Sequence, residues 1–375
     1  MRKNVYKKLA AHLDNLPGGY PSTTSGVELR ILERLFTPEE AEMAPHLALI
    51  PEEARVLAHR AKRSEEGVKD LLDDMFRKGL ILKLTRKGRP PKYMALQYAI
   101  GIWEYHVEDL DRELAEDMAE YLPVLLNPET WGKSPQLRTV PIGKSISHQL
   151  EIMPYEIVEE VVKQQDKIIV APCICRREKK LVGEGCDRPE DSCLVLGRAS
   201  DLYRERGIGR DISREEALEI LRKADEAGLV LQPSNSKDII NICCCCGCCC
   251  GVLRSIKRHP RPATIVSTPF ICAADEEKCS GCGVCLERCQ MEALCLEGDR
   301  VVLDTDRCIG CGLCVSTCPT DALTLVRKPQ SAQKEVPNTF RDAMVALAKA
   351  RGKLKPVSAA KMVMKSKLDR LRTSK

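Results

Sequence analysis

KCSGCGVCLERCQMEALCL (278–296) and RCIGCGLCVSTCPTDALTL (307–325) align without a gap at an offset of 29 residues. Cys279, Cys282, Cys285 and Cys289 keep the spacing C-x2-C-x2-C-x3-C, and Cys308, Cys311, Cys314 and Cys318 repeat it. Two-residue spacers let one tight loop turn three sulfurs inward, and Gly281, Gly283, Gly310 and Gly312 allow close backbone approach. A structural zinc ion normally takes two separated C-x2-C pairs instead. The repeat therefore points to polynuclear iron.

The doubled motif resembles the two-cluster ferredoxins of bacteria. That resemblance implies two [4Fe-4S] clusters with crossed ligation: Cys279, Cys282, Cys285 and Cys318 on one, and Cys308, Cys311, Cys314 and Cys289 on the other. The family's proline after the fourth cysteine is present as Pro319, but Gln290 stands in its place in the first repeat. The turn after Cys289 is thereby less rigid and gains a donor. Cys295, where the second repeat has Thr324, reads as a small core residue.

Outward from the repeat, 13 of the 21 cysteines remain. Seven crowd residues 243–250 in NICCCCGCCCG (241–251), interrupted only by Gly247. Adjacent cysteines pair only as strained disulfides, so metal is the better reading. Not all seven can face one centre, because neighbours in an extended strand point to opposite sides. Further upstream, Cys173, Cys175, Cys186 and Cys193 form C-x-C-x10-C-x6-C beside Arg176, Arg177, Lys179 and Lys180. Nearby cations stabilise thiolates. Cys173, Cys175, Cys186, Cys193, Cys245, Cys246, Cys248 and Cys249 are the candidates for a third metal or cluster site, the other reading being a set of buried free thiols. Cys272 and Cys295 complete the count.

The 375 residues suffice for several domains. The N-terminal stretch is charged throughout and has no apolar core of signal-peptide length, and no run approaches 18 apolar residues. A reducing cytoplasm is expected, where thiols stay available as ligands. Net charge is +5, yet residues 327–375 hold 14 Lys and Arg against 3 acids, a net of +11, leaving −6 on residues 1–326. Such a tail suits nucleic acid, anionic lipid or an acidic protein, or is merely solvated.

An α+β multidomain chain is expected. Residues 1–122 read as a mostly helical, winged-helix-like region. Thr37-Pro38-Glu39-Glu40 predicts a capped helix start, Pro51-Glu52-Glu53 a second and Ser64 a third, with Val68, Leu71, Leu72 and Met75 on one face. A hairpin follows around Lys87-Gly88-Arg89, and 95–122 reads as a further helical stretch. Lys83, Arg86, Lys87, Arg89 and Lys92 make the hairpin basic. The helix from Ser64 to Gly79, however, carries five acids against three bases, which is repulsive in a major groove and disfavours nucleic-acid binding.

Residues 123–262 read as a cysteine-rich α/β middle domain: an extended segment, a helix at 154–165, a buried strand in KIIVAPCIC (167–175), and a helix capped by Ser213 and Glu216. Residues 263–328 are the small ferredoxin-like dicluster domain, and 329–375 a basic helical or disordered tail.

Nearly the whole chain resembles a group of ferredoxin-like proteins of anaerobic bacteria, through PCICR (172–176), CCGCCCG (245–251) and the doubled motif. The Cys-Cys-Gly element at 245–247 also resembles the CCG motifs of heterodisulfide reductase catalytic subunits, over too short a stretch to transfer their activity. The resemblance fixes the cofactor better than the task; two clusters close enough to pass single electrons lead to the expectation of an iron-sulfur electron carrier or electron-transfer subunit, with a redox protein partner from an anaerobic oxidoreductase system. Two other readings stand beside it: a redox- or iron-sensing DNA-binding regulator, and a cluster-dependent oxidoreductase acting on a thiol-type substrate. Against the last, no Walker A loop, G-x-G-x-x-G or HExxH occurs. Oligomeric state is not legible.

Overall fold

The computed structural model describes residues 2–353 and 356–373, in a mixed helix-and-sheet α+β arrangement. The chain divides into two compact units, Met1–Leu125 with Val345–Lys375, and Leu126–Met344. Of the basic tail, residues 354–355 and 374–375 lie outside the described residues.

In the first unit the helices Val27–Leu35 and Pro38–Met43 are joined at Thr37, whose hydroxyl accepts from the Glu40 amide while Glu40 accepts from the Thr37 amide at 2.7 Å. This reciprocal cap satisfies two amides that the helix itself cannot. The helix Glu65–Arg77 buries Val68, Leu72, Met75 and Phe76 on one face, the spacing that an amphipathic helix requires. Glu52 and Glu53 do not start a helix. They form a short strand, β1 (Glu52–Glu53), and the helix is Ala54–Ala61. Glu52 is buried there and takes both terminal nitrogens of Arg60 at 2.8 Å, so its carboxylate is spent on a tertiary ion pair rather than on a first helical turn. Strands β2 (Ile81–Arg86) and β3 (Arg89–Ala95) form the hairpin, in the sheet order β1-β3-β2.

The helix expected over 95–122 begins only at Arg112 and runs Arg112–Leu125. Before it, Ala99 and Ile100 are extended and short turns carry the chain to His106. Tyr98, Ala99, Ile102 and Trp103 are buried in this irregular stretch. Tyr98 closes an aromatic trio with Tyr20 and Tyr121, ring centroids 4.8 to 6.3 Å apart. The helix Pro356–Arg372 returns to this unit through Asp369, which accepts from Nε of Arg60 at 3.0 Å.

The second unit centres on a five-stranded antiparallel sheet of β4 (Ile168–Pro172), β5 (Asp191–Leu196), β6 (Arg210–Asp211), β7 (Val230–Pro233) and β8 (Asn241–Cys245), ordered β6-β4-β5-β8-β7. The first four residues of β4 are all buried, which explains its unbroken apolar run. The helix Arg214–Glu226, capped by Ser213 on the Glu216 amide at 3.1 Å, packs on the sheet. Two small two-stranded sheets follow: β9 (Phe270–Ala274) with the late strand β12 (Leu323–Arg327), and the hairpin of β10 (Leu294–Glu297) with β11 (Arg300–Leu303). The segment before the large sheet is tied by bridges from Leu137 to Ser234 and Val140 to Leu231, and the Ile142 amide donates to the Cys311 carbonyl at 3.2 Å. Among the described residues, no helix is long and apolar enough to cross a membrane.

Candidate metal centres

The two repeats adopt one backbone conformation at their 29-residue offset. Gly281 and Gly310 have φ of 69° and 63°, Gly283 and Gly312 75° and 76°, and even the non-glycine pair Glu292 and Asp321 has φ of 55° and 52°. At Gly310 a Cβ would collide with the Phe270 carbonyl oxygen, and at Gly281 it would lie 2.7 Å from that of Asp299, so glycine is needed for closeness as well as for handedness.

Each loop wraps a recess. One is lined by Cys279, Cys282, Cys285 and Cys318, with Val284, Leu296, Val301 and Leu323 supplying apolar wall. The other is lined by Cys308, Cys311, Cys314 and Cys289, walled by Met291, Leu294, Leu303 and Leu313. Of the motif cysteines, three in each recess come from one repeat and the fourth from the other, and Cys272 on β9 also lines the second recess, its Sγ 3.8 Å from that of Cys314. Strand β9 explains part of this closure: pairing Cys272 with Leu325 sets the second loop against the first.

Backbone amides point at the sulfurs. Val301 N–H lies 3.3 Å from Cys279 Sγ, Ala293 N–H 3.2 Å from Cys289 Sγ, and Cys272 N–H 3.4 Å from Cys308 Sγ. At Cys318 burial pushes the thiol up, but the amides around Thr320 and Leu323 and the Thr320 hydroxyl outweigh it and lower it. At Cys285 burial, followed by the neighbouring sulfurs, pushes the thiol up to about 11. Four thiolates converging in an apolar recess repel one another, so this donor set requires a cationic core, and it fits an iron-sulfur cluster. Cys295 is not a core residue: it is exposed on β10, opposite Val302, because the outer face of this two-stranded sheet meets solvent.

The upstream cysteines fall into two groups, set by the alternation of β8 and the turn that follows it. Cys243 lies opposite Cys193 in the β5·β8 register, with their thiols in contact. On the same face Cys245 contacts Cys243 and Cys250, and Cys250 contacts Cys175, which contacts Cys173. Cys173 and Cys250 each occupy the N-cap position of a helix, Ile174–Leu181 and Gly251–Arg258. The result is a string of six thiols, Cys245 and Cys250 buried and the other four half-buried.

The second group is compact. Sγ of Cys186 lies 3.6 Å from that of Cys249 and 4.0 Å from that of Cys246, while Cys248 and Cys249 are 3.8 Å apart. All four sulfurs lie within 4.8 Å of one another. Cys244, on the opposite face of β8 across from Leu231, belongs to neither group, and burial pushes its thiol up to about 12. Of the eight upstream candidates, then, Cys186, Cys246, Cys248 and Cys249 come together, and Cys173, Cys175, Cys193 and Cys245 join a string with Cys243 and Cys250. The two additions carried a sequence signal: Cys243 shares the parity of Cys245, and Cys250 immediately precedes a helix.

Two arginines face these sulfurs. Arg176 is 1% exposed, donates to Ser192 Oγ at 2.5 Å and the Cys244 carbonyl at 2.6 Å, and has its Nε without an acceptor. Among the described residues it pairs with no carboxylate, and the sulfurs of Cys173, Cys246, Cys245 and Cys244 are the groups around it whose charge, once ionised, would offset it. Arg188 donates to Sγ of Cys248 at 3.4 Å.

Comparison with known families matches residues 301–324 to the 4Fe-4S binding domain. The chain therefore carries an iron-sulfur module of ferredoxin type. No curated protein and no solved structure matches the chain.

Proposed function

We propose that this protein is an electron carrier or electron-transfer subunit, holding two [4Fe-4S] clusters in residues 263–328 and a further metal site upstream, and passing single electrons to or from a redox protein partner. The observation that carries this reading is the crossed sorting of eight cysteines into two adjoining recesses, each apolar-walled and each with amides directed at its sulfurs. Cys279, Cys282, Cys285 and Cys318 would hold one cluster, and Cys308, Cys311, Cys314 and Cys289 the other. Each cluster supplies a one-electron couple, and the amides at Cys279, Cys289 and Cys308 set its potential by stabilising negative charge on sulfur. Iron and acid-labile sulfide analysis of anaerobically purified protein tests it, with about eight of each per chain expected from the module. Fewer than four iron atoms per chain would sink it.

A regulator that reads DNA through residues 26–97 draws support from the strand order β1-β3-β2 and the exposed Arg86, Lys87 and Arg89 at the hairpin. Against it, Lys83 is held by Asp73 at 2.7 Å, and the preceding helix keeps its acids. Absence of duplex binding at low salt, in both oxidised and reduced protein, removes this reading.

A further inference from the structure

The four sulfurs of Cys186, Cys246, Cys248 and Cys249 are too close together for a cubane. In a cubane each thiolate binds a different iron, so its ligand sulfurs are held apart by the whole cluster. A single tetrahedral ion with metal–sulfur bonds of about 2.3 Å places its sulfurs about 3.8 Å from one another. Three of the six distances here, 3.6, 3.8 and 4.0 Å, bracket that value, and all six stay within 4.8 Å.

We propose that Cys186, Cys246, Cys248 and Cys249 bind one mononuclear tetrahedral ion, zinc or iron, as a site distinct from the clusters of the module. The inference rests on the part of the proposed function that gives the upstream cysteines to metal, and it narrows that part to four named ligands and one ion. Tetrahedral coordination by four thiolates selects these two metals among the common ones. Four thiolates on a divalent ion carry a net charge of −2, and the chain offers two cations against it. Arg188 touches Cys248, and the carboxylate-free guanidinium of Arg176 lies buried beside the Cys244 carbonyl.

The backbone is built for it. Strand β8 ends at Cys245, a turn over 247–249 brings Cys248 and Cys249 back beneath Cys246, and the Cys250 amide closes the turn on the Cys246 carbonyl at 3.2 Å. Cys186 enters from the loop between the helix Ile174–Leu181 and β5, held in place by Arg188, which donates to the Ala227 carbonyl at 3.0 Å. The ion thus fastens that loop to the end of β8.

The test uses the full chain purified anaerobically, with zinc, iron and acid-labile sulfide measured together and the metal's sulfur shell read by X-ray absorption. The expected result is one equivalent of zinc, or of iron without matching sulfide, surrounded by four sulfurs at about 2.3 Å. C246S should lose that equivalent or fall to three sulfurs while the module's EPR signals persist. C248S, at an exposed position, serves the same purpose should C246S not fold. Titration of the unaltered chain with cobalt, giving the absorption of a tetrahedral tetrathiolate, reports on the site without any substitution. Extra iron accompanied by equal sulfide and lost in C246S would overturn the proposal in favour of a cluster. An ion that survives both substitutions, or no metal beyond the module's iron, would overturn it as well. Loss of the module's iron with the tetrathiolate ion retained would instead count against the electron-transfer reading.

Discussion

The backbone amide of Gly247 donates to Oε1 of Gln290 at 2.7 Å. One residue interrupts the run of cysteines and the other replaces the proline expected after Cys289. A Cβ on residue 247 would lie 2.6 Å from the Gln290 carbonyl oxygen, so the interruption is glycine because the iron-sulfur module's backbone passes against it. Gln290 is 8% exposed, and its side chain supplies the acceptor that a proline could not.

Replacing Gln290 by proline should therefore weaken the protein although it restores the motif of the second repeat. The half-buried Gly247 amide loses its acceptor, at a cost of about 1 kcal/mol. Anaerobic denaturant unfolding of Q290P should show this loss with cluster content unchanged. Equal or greater stability would mean that the hydrogen bond contributes nothing.

The crossed recesses make opposite assignments for the two fourth cysteines. C289S should disturb the cluster ligated by Cys308, Cys311 and Cys314, and C318S the one ligated by Cys279, Cys282 and Cys285. Pairing each with a substitution in the same recess, C289S with C311S for example, should remove no more cluster than the worse single change. EPR of the reduced proteins reads this directly, and additive losses would mean uncrossed ligation.

Arg176 should matter more as a charge than as a packing element. R176M keeps much of its length but removes the cation facing the upstream sulfurs, and roughly 10–100-fold weaker retention of the upstream metal is expected, as for other outer-shell partners. Competition with a chelator measures it, with the module's iron as the internal control. Unchanged retention would show that the sulfurs do not depend on this guanidinium.

In the first unit, burial and then the neighbouring His46 hold His12 down to about 4 from 6.5. The unfolded chain takes up this proton near pH 6.5 and the folded chain only near 4. The contribution is thus fully present above pH 6.5 and is lost as pH falls to about 4, amounting to roughly 2–3 kcal/mol across the window. H12Q should flatten the pH dependence of unfolding in that window. An unaltered slope would place the proton elsewhere.

Local rules were legible wherever chemistry is local. The Thr37–Glu40 cap, the apolar face of Glu65–Arg77, the strand leading to Cys173 and the spacing of the doubled motif all depend on residues within a few positions of one another. Long-range demands were not. Glu52 reads as a helix start until Arg60 claims it, and residues 98–106 read as helix although the chain there runs irregularly around the buried Tyr98 and Trp103. Cys295 reads as core because it lies on the strand after the motif, yet that position of β10 is exposed. The crowded stretch was half legible: alternation shows that seven sulfurs cannot share one centre, but only the fold shows that Cys186 and Cys193, seven residues apart, serve different groups.

The crossing of the fourth cysteines also makes the two repeats depend on each other. A lone 29-residue unit would present three sulfurs to one half-built recess and its last sulfur to nothing, and so could complete no site by itself. Under the proposed ligation each repeat is completed only by the other, so the two units work as a pair and a substitution in either one reaches both sites.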